Sequence, residues 1–128
     1  MRRVQQWHLC IRLSDEEFLA QLFKTTQAHV HEVATFFPYF TQKPTGRYRL
    51  GLCRGLTCAL AGSDAMSQCL ERKLDVRAGQ TTPDGEFSFE EVECLGACDH
   101  GPALIVNERL LGKATKERIE NLPRELHP

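Results

Sequence analysis

Cys53 and Cys58 are separated by four residues, and Cys94 and Cys98 by three. Four thiolates in two close pairs support more than one chemistry. They are the complement of one [2Fe–2S] cluster, with two sulfurs at each iron. They also suit structural zinc, which accepts four thiolates in a tetrahedron. Redox-active dithiols are a third reading, but these favour C-x2-C at a helix start, a spacing that neither pair has. Zinc pairs tolerate longer spacings, although zinc ribbons favour x2. Spacing alone therefore leans to the cluster and leaves zinc open.

The residues around the pairs add to this. The local strings are Leu52-Cys53-Arg54-Gly55-Leu56-Thr57-Cys58 and Glu93-Cys94-Leu95-Gly96-Ala97-Cys98. Each pair is expected on a short glycine-containing loop. An all-thiolate cluster is anionic, and its reduction adds another negative charge. Such a group needs backbone N–H donors, and Gly55, Gly96 and Ala97 allow the backbone to come close. Arg54 sets a cation beside Cys53 and is expected to favour the reduced form. Asp99 and His100, just beyond the second pair, read as exposed loop residues.

Strands and helices must deliver these loops. Arg47 to Leu52 alternates and runs into Cys53, as a strand would. Gly62 to Lys73 reads as a helix, with Cys69 a small core residue beside Ala65, Met66 and Leu70. Asp75 to Ala78 is expected to be a strand, and Thr82-Pro83-Asp84-Gly85 a turn. Glu86 to Glu93 then delivers Cys94, with Glu90, Glu91 and Glu93 on an exposed strand edge and turn. Pro102 to Val106 and Arg109 to Gly112 form a hairpin about Asn107-Glu108. A last helix starts at Thr115 and is ended by Pro123. The strand–helix–strand–strand–strand–helix order describes an α/β sandwich compatible with a thioredoxin-like sheet.

Ahead of this lies a helical arm. Ser14-Asp15-Glu16-Glu17 has the form of a capping box. Phe18, Leu19, Leu22 and Phe23 follow at helical spacing. Ala28 to Phe37 is a second short helix, which Pro38 stops. Phe36, Phe37, Tyr39 and Phe40 are read as a hydrophobic hinge in preference to a partner-binding patch. His29 and His31, two apart on a helix, point to different faces and make poor joint ligands. Cys10 has no local partner. Gln42-Lys43-Pro44-Thr45-Gly46 is a linker, so the chain divides into residues 1–43 and 44–128.

Composition excludes several classes. Lys and Arg number 16 against 17 Asp and Glu, which argues against binding nucleic acid through phosphate neutralisation. No apolar run approaches the roughly 20 residues a spanning helix needs. The start lacks the apolar stretch of a signal peptide. Six cysteines then point to a reducing cytoplasm and to metal binding in preference to a disulfide framework. No G-x-G-x-x-G follows a strand, and no nucleophile stands out with a His and acid partner.

These motifs together resemble the E-type subunits of NADH-quinone oxidoreductase, the small [2Fe–2S] subunit family of respiratory complex I. Related subunits occur in NAD-linked formate dehydrogenases and hydrogenases. The resemblance runs from about Ala28 to Leu122. It is carried by Val33-Ala34-Thr35-Phe36-Phe37, by Pro44-x-Gly46-x-Tyr48, and by Thr81-Thr82-x-Asp84-Gly85-x-Phe87 leading into Glu90-Glu91-Val92-Glu93-Cys94-Leu95-Gly96-Ala97-Cys98. Pro102 and Asn107 also fall in place. The resemblance implies a thioredoxin-like [2Fe–2S] ferredoxin domain preceded by a short helical N-terminal arm. It implies that Cys53, Cys58, Cys94 and Cys98 are the cluster ligands. It further implies single-electron exchange with a flavin- and NADH-binding partner subunit, on the cytoplasmic face of a membrane-bound complex. The chain would be one component of an enzyme, without a complete active site of its own. Family members carry a longer helical bundle before Val33; here the first helices are expected to be missing, and Met1 to Leu13 matches no part of the pattern.

Overall fold

The structure is a computed structural model that describes residues 1–122 and Leu126. The chain forms two compact units, Met1–Thr45 and Gly46–Pro128.

The first unit holds three helices: α1 (Arg2–His8), α2 (Leu13–Phe23) and α3 (Gln27–Phe36). Leu9 and Lys24, both left-handed, close α1 and α2. Thr26 caps α3 by accepting from the His29 N–H at 3.2 Å. The start of α2 differs from the expected Ser14 box. Arg12 is the N-cap, and the Asp15 carboxylate accepts its N–H at 2.9 Å. The shorter acid, three residues on, does the work assigned to Glu17. The buried face of α2 also differs: it carries Glu16, Leu19 and Ala20, which pack with Val30 of α3. Phe18, Leu22 and Phe23 stay exposed. The buried Glu16 has a partner there: His31 Nδ1 lies 2.9 Å from its carboxylate, which lets an acid occupy the inner face. Helix α1 falls in the stretch where the sequence suggests no element. Phe36 and Phe37 pack edge to face at 5.0 Å and are exposed.

The second unit is a five-stranded sheet in the order β2-β3-β1-β4-β5. Its strands are β1 (Tyr48–Cys53), β2 (Gln80–Thr81), β3 (Phe87–Val92), β4 (Ala103–Val106) and β5 (Arg109–Lys113). Helices α4 (Leu56–Leu60) and α5 (Ser63–Leu74) follow β1, and α6 (Lys116–Glu120) follows β5. β1 is central. It pairs in parallel with β3 and antiparallel with β4. Side chains alternate between the faces of a strand. One face therefore gathers Leu50, Leu52, Phe87, Phe89, Leu104 and Val106 against Leu70 of α5 and Ile119 of α6.

Two strand expectations change. Asp75 to Ala78 is not a strand, because Asp75 adopts a left-handed conformation (φ 53°) that ends α5, and the chain pairs with β3 only at Gln80–Thr81. β3 pairs with β2 only at Ser88 and Phe89, so Glu90, Glu91 and Glu93 lie beyond that ladder; Glu93 is exposed as expected, while Glu90 and Glu91 are half-buried. The neighbouring β1 side holds these two acids: Arg49 Nε lies 2.7 Å from Glu90, and Arg54 Nη1 lies 2.8 Å from Glu91. The Thr82–Gly85 turn forms as expected. Thr82 Oγ1 donates to Asp84, Asp84 accepts the Glu86 N–H at 2.9 Å, and Gly85 supplies the positive φ of 70°. Thr115 caps α6 by accepting from the Arg118 N–H at 3.2 Å. Pro123, expected to end that helix, lies outside the described residues. No helix among the described residues is long and apolar enough to cross a membrane.

Candidate metal centre

The sheet topology explains how two distant pairs meet. Parallel pairing sets the C-terminal ends of β1 and β3 side by side, with Cys53 opposite Val92. Cys53 is the last residue of β1, and Cys94 lies two residues beyond the end of β3. β4 runs antiparallel and starts at the same end, with Leu104 opposite Leu52. The 93–102 connection therefore leaves and returns on either side of β1. It carries Cys98 across the end of the strand that holds Cys53.

Cys58 is not on an open loop. It sits in the short helix α4, which starts after Gly55. Cys98 opens a single 3-10 turn ending at His100. Ser63, at the start of α5, is buried and donates to the Cys53 carbonyl at 2.6 Å. That bond ties the helix that follows the first pair to the strand that precedes it.

All four thiols are free and they converge unevenly. Cys53 and Cys58 are 3% and 2% exposed. Cys94 and Cys98 are open to solvent. Burial pushes the Cys53 thiol up, but N–H groups of Gly55 and Leu95 and the Cys58 and Cys94 thiols outweigh it, so its pKa falls below the ordinary value. Burial pushes Cys58 up, Ala103 N–H opposes it, and the proximity of Cys53 and Cys98 adds to the rise. The causes record thiols close enough to act on one another: Cys53 with Cys58 and Cys94, and Cys58 with Cys53 and Cys98.

The backbone turns donors onto these sulfurs. Gly55 N–H points at Cys53 Sγ at 3.4 Å, and Gly96 N–H at Cys94 Sγ at 3.4 Å. Gly96 has φ 66°, which favours glycine. A Cβ on Gly55 would stand 3.3 Å from the Glu93 carbonyl, 3.5 Å from Cys53 Sγ and 3.8 Å from Cys94 Sγ. The absent side chain thus leaves room between the two loops. Among the described residues, no three His, Cys, Asp or Glu side chains form a group that holds one metal ion. A [2Fe–2S] core asks instead for two thiolates at each of two irons. Soft donors in two pairs, N–H groups aimed at sulfur and a glycine-lined gap all fit that core.

A family model described as the thioredoxin-like [2Fe-2S] ferredoxin matches residues 1–127. This chain belongs to that family. The family's cofactor is a [2Fe–2S] cluster. The match begins at residue 1, which corrects the expectation that Met1 to Leu13 has no counterpart. Over 123 residues the chain is 42% identical to NADH-quinone oxidoreductase subunit 2 of Thermus thermophilus, covering 95% of this chain and 68% of that one. Over 106 residues it is 41% identical to an E-type NADH-quinone oxidoreductase subunit of Rhizobium meliloti, covering 83% and 63%. The chain spans about two thirds of the length of these relatives. The resemblance to the E-type subunits is thereby borne out. A crystal structure of an NAD+-reducing [NiFe]-hydrogenase in the air-oxidized state superposes with a TM-score of 0.78 at 24% identity, over 90% of this chain and 21% of that one. That likeness is one of fold.

Of the other sequence candidates, Cys10 is buried and donates to the His8 carbonyl at 3.5 Å, and Cys69 is half-buried. Neither joins the four. Asp99 and His100 are exposed and pair with each other at 3.5 Å. Sequence reasoning missed the Ser67–Glu91–Arg54 contacts beside Cys53, because the run of acids gave no sign of which one a helix serine would meet.

Proposed function

We propose that this chain is an electron-transfer subunit of an NADH-quinone oxidoreductase. It holds one [2Fe–2S] cluster on Cys53, Cys58, Cys94 and Cys98 and exchanges single electrons with a flavin- and NADH-binding partner subunit. The observation that carries the reading is the convergence of these four thiols at the shared end of parallel β1 and β3. The identity to NADH-quinone oxidoreductase subunits supports it.

When bound, the cluster supplies one-electron redox chemistry. The chain's own residues do the rest. The four thiolates hold two irons, and the Gly55 and Gly96 N–H groups withdraw electron density from two of the sulfurs. Burial of Cys53 and Cys58 keeps water from one side. The open side, at Cys94 and Cys98, is where a partner's redox group comes within reach. Hydride chemistry belongs to the partner subunit, and this chain takes no part in binding NADH. The assembly lies on the cytoplasmic side of its membrane.

Anaerobic purification tests the reading. The expected preparation holds two irons and two acid-labile sulfides per chain, absorbs visible light, and gives a reduced-state EPR signal on adding NADH together with the flavin subunit. Stoichiometric zinc without visible absorption would overturn it. A cluster that stays oxidised under those conditions would leave the chain a purely structural subunit. Co-purification with its native neighbours identifies the parent complex.

A further inference from the structure

The cation next to Cys53 has its partners, Glu91 and Asp64, on the α5 side of the sheet. Arg54 continues the β1 ladder, its N–H donating to the Val92 carbonyl at 2.8 Å. Successive side chains of an extended strand leave opposite faces. Cys53 goes with Val92, and Arg54 goes with Leu52 and Glu91 on the face covered by α5. There the guanidinium lies 2.8 Å from Glu91 Oε2 and 3.7 Å from Asp64 Oδ1. The second Glu91 oxygen, Oε1, accepts from the buried Ser67 hydroxyl of α5 at 2.7 Å. Glu91 is thus fixed from the helix as well as from the arginine. Beside the pair, a recess of about 320 Å³ lined by Arg54, Glu91, Val92 and Glu93 gives the guanidinium room to move.

We propose that Glu91 is a positioning residue that holds the Arg54 guanidinium on the α5 face, away from the thiols, and so keeps the midpoint potential of the centre below the value its own cation would set. The inference rests on the [2Fe–2S] reading above. The physical argument is Coulombic. Attraction between a cation and an anionic centre grows as they approach. One-electron reduction makes the centre more negative, so approach of Arg54 favours the reduced form and raises the potential. A carboxylate anchored by Ser67 prevents that approach.

Redox potentiometry monitored by EPR on the full chain tests this. Glu91→Gln keeps the shape and an acceptor for Ser67 but drops the charge; the midpoint is expected to rise. A loss of negative charge anywhere nearby does the same, so the deciding comparison is with Arg54→Gln. The Glu91→Gln rise is expected to be clearly larger with Arg54 present than in the Arg54→Gln background. Equal rises in both backgrounds mean that Glu91 acts as an independent charge, and they overturn the proposal. Glu91→Asp is the second variant. It keeps the charge on β3 but shortens its reach to both partners, so a higher midpoint supports the holding role and an unchanged one overturns it. If wild-type chain and variants alike assemble no iron and sulfide, the cluster reading itself falls and takes this inference with it. A cluster that assembles with unmoved potentials defeats the inference alone.

Discussion

At the scale of single residues, the four thiols differ enough to be told apart by chemistry. Cys53 and Cys58 are equally buried, so access does not separate them. Their pKa shifts do, downward for Cys53 and upward for Cys58. In the unloaded chain, alkylation followed by mass spectrometry is expected to label Cys53 ahead of Cys58 as pH rises, because the thiolate is the reacting form. The reverse order would contradict the hydrogen bonding described above. Replacement of a ligand is more drastic. Cys53→Ala and Cys98→Ala are each expected to abolish stable cluster assembly, read as loss of bound iron and visible absorption. The four cysteines stood out in the sequence because residue type and spacing set them in two close pairs, while their proposed role as cluster ligands rests on the family resemblance as well. The partners of Glu90 and Glu91 were not legible, since an acid's partner is decided by which strand lies alongside, and nothing local fixes that.

At the scale of elements, the turns that aim the strands are the sensitive points. A Cβ on Gly46 would come within 2.5 Å of the Phe87 carbonyl carbon and 2.7 Å of the Ser88 nitrogen. Those are backbone atoms of β3 and cannot swing aside. Gly46→Ala is therefore expected to cost about 1–3 kcal/mol, measured by urea unfolding. The Thr82–Gly85 turn adds a pH dependence. The Thr82 hydroxyl, and then the Glu86 N–H, hold the Asp84 carboxyl below the usual carboxylate range. A carboxyl depressed in the folded state stabilises above its unfolded pKa, near ~3.9, and loses that contribution as pH falls through the folded value. Wild type is thus expected to exceed Asp84→Asn in stability at neutral pH, with the gap closing in acid. A gap that widens in acid would reverse the assignment. Both the glycine and the turn were readable from sequence. Helix α4 and the two-residue strand β2 were not. A helix of one turn leaves no periodicity to detect, and β2 is set by pairing with β3 after Asp75 ends α5.

At the scale of the whole molecule, each unit has buried apolar packing of its own among the described residues. Leu19 belongs to the helical unit and Leu70 to the sheet unit, and both are buried. Each Leu→Ala change is expected to cost its own unit about 2–5 kcal/mol. All four thiols lie in the second unit, so Leu19→Ala is expected to leave the EPR spectrum of the loaded chain unaltered. Leu70→Ala is expected to speed iron loss, followed by bleaching under a chelator. An altered spectrum in Leu19→Ala would show that the helical unit shapes the centre after all. The sequence places a boundary between helical arm and sheet region at residues 43/44, where Pro44 and Gly46 punctuate the chain, and the two compact units divide at Thr45/Gly46. The inner face of the arm was not legible, because a buried glutamate satisfied by His31 hides inside a pattern that otherwise points to Phe18 and Leu22.

The uneven burial of the thiols gives the site a doorway. The Cys53–Cys58 side is walled by β1, α4 and the Ser63 anchor, while the Cys94–Cys98 side is open. On the proposed ligand assignment, a donor delivering iron and sulfide would come in past the exposed second pair to reach the buried first pair. The same opening admits oxidants, which reach Cys94 and Cys98 first whenever the chain is empty. Maturation and damage therefore share one entrance, and a scaffold protein that covered it until loading was complete would protect both thiols at once.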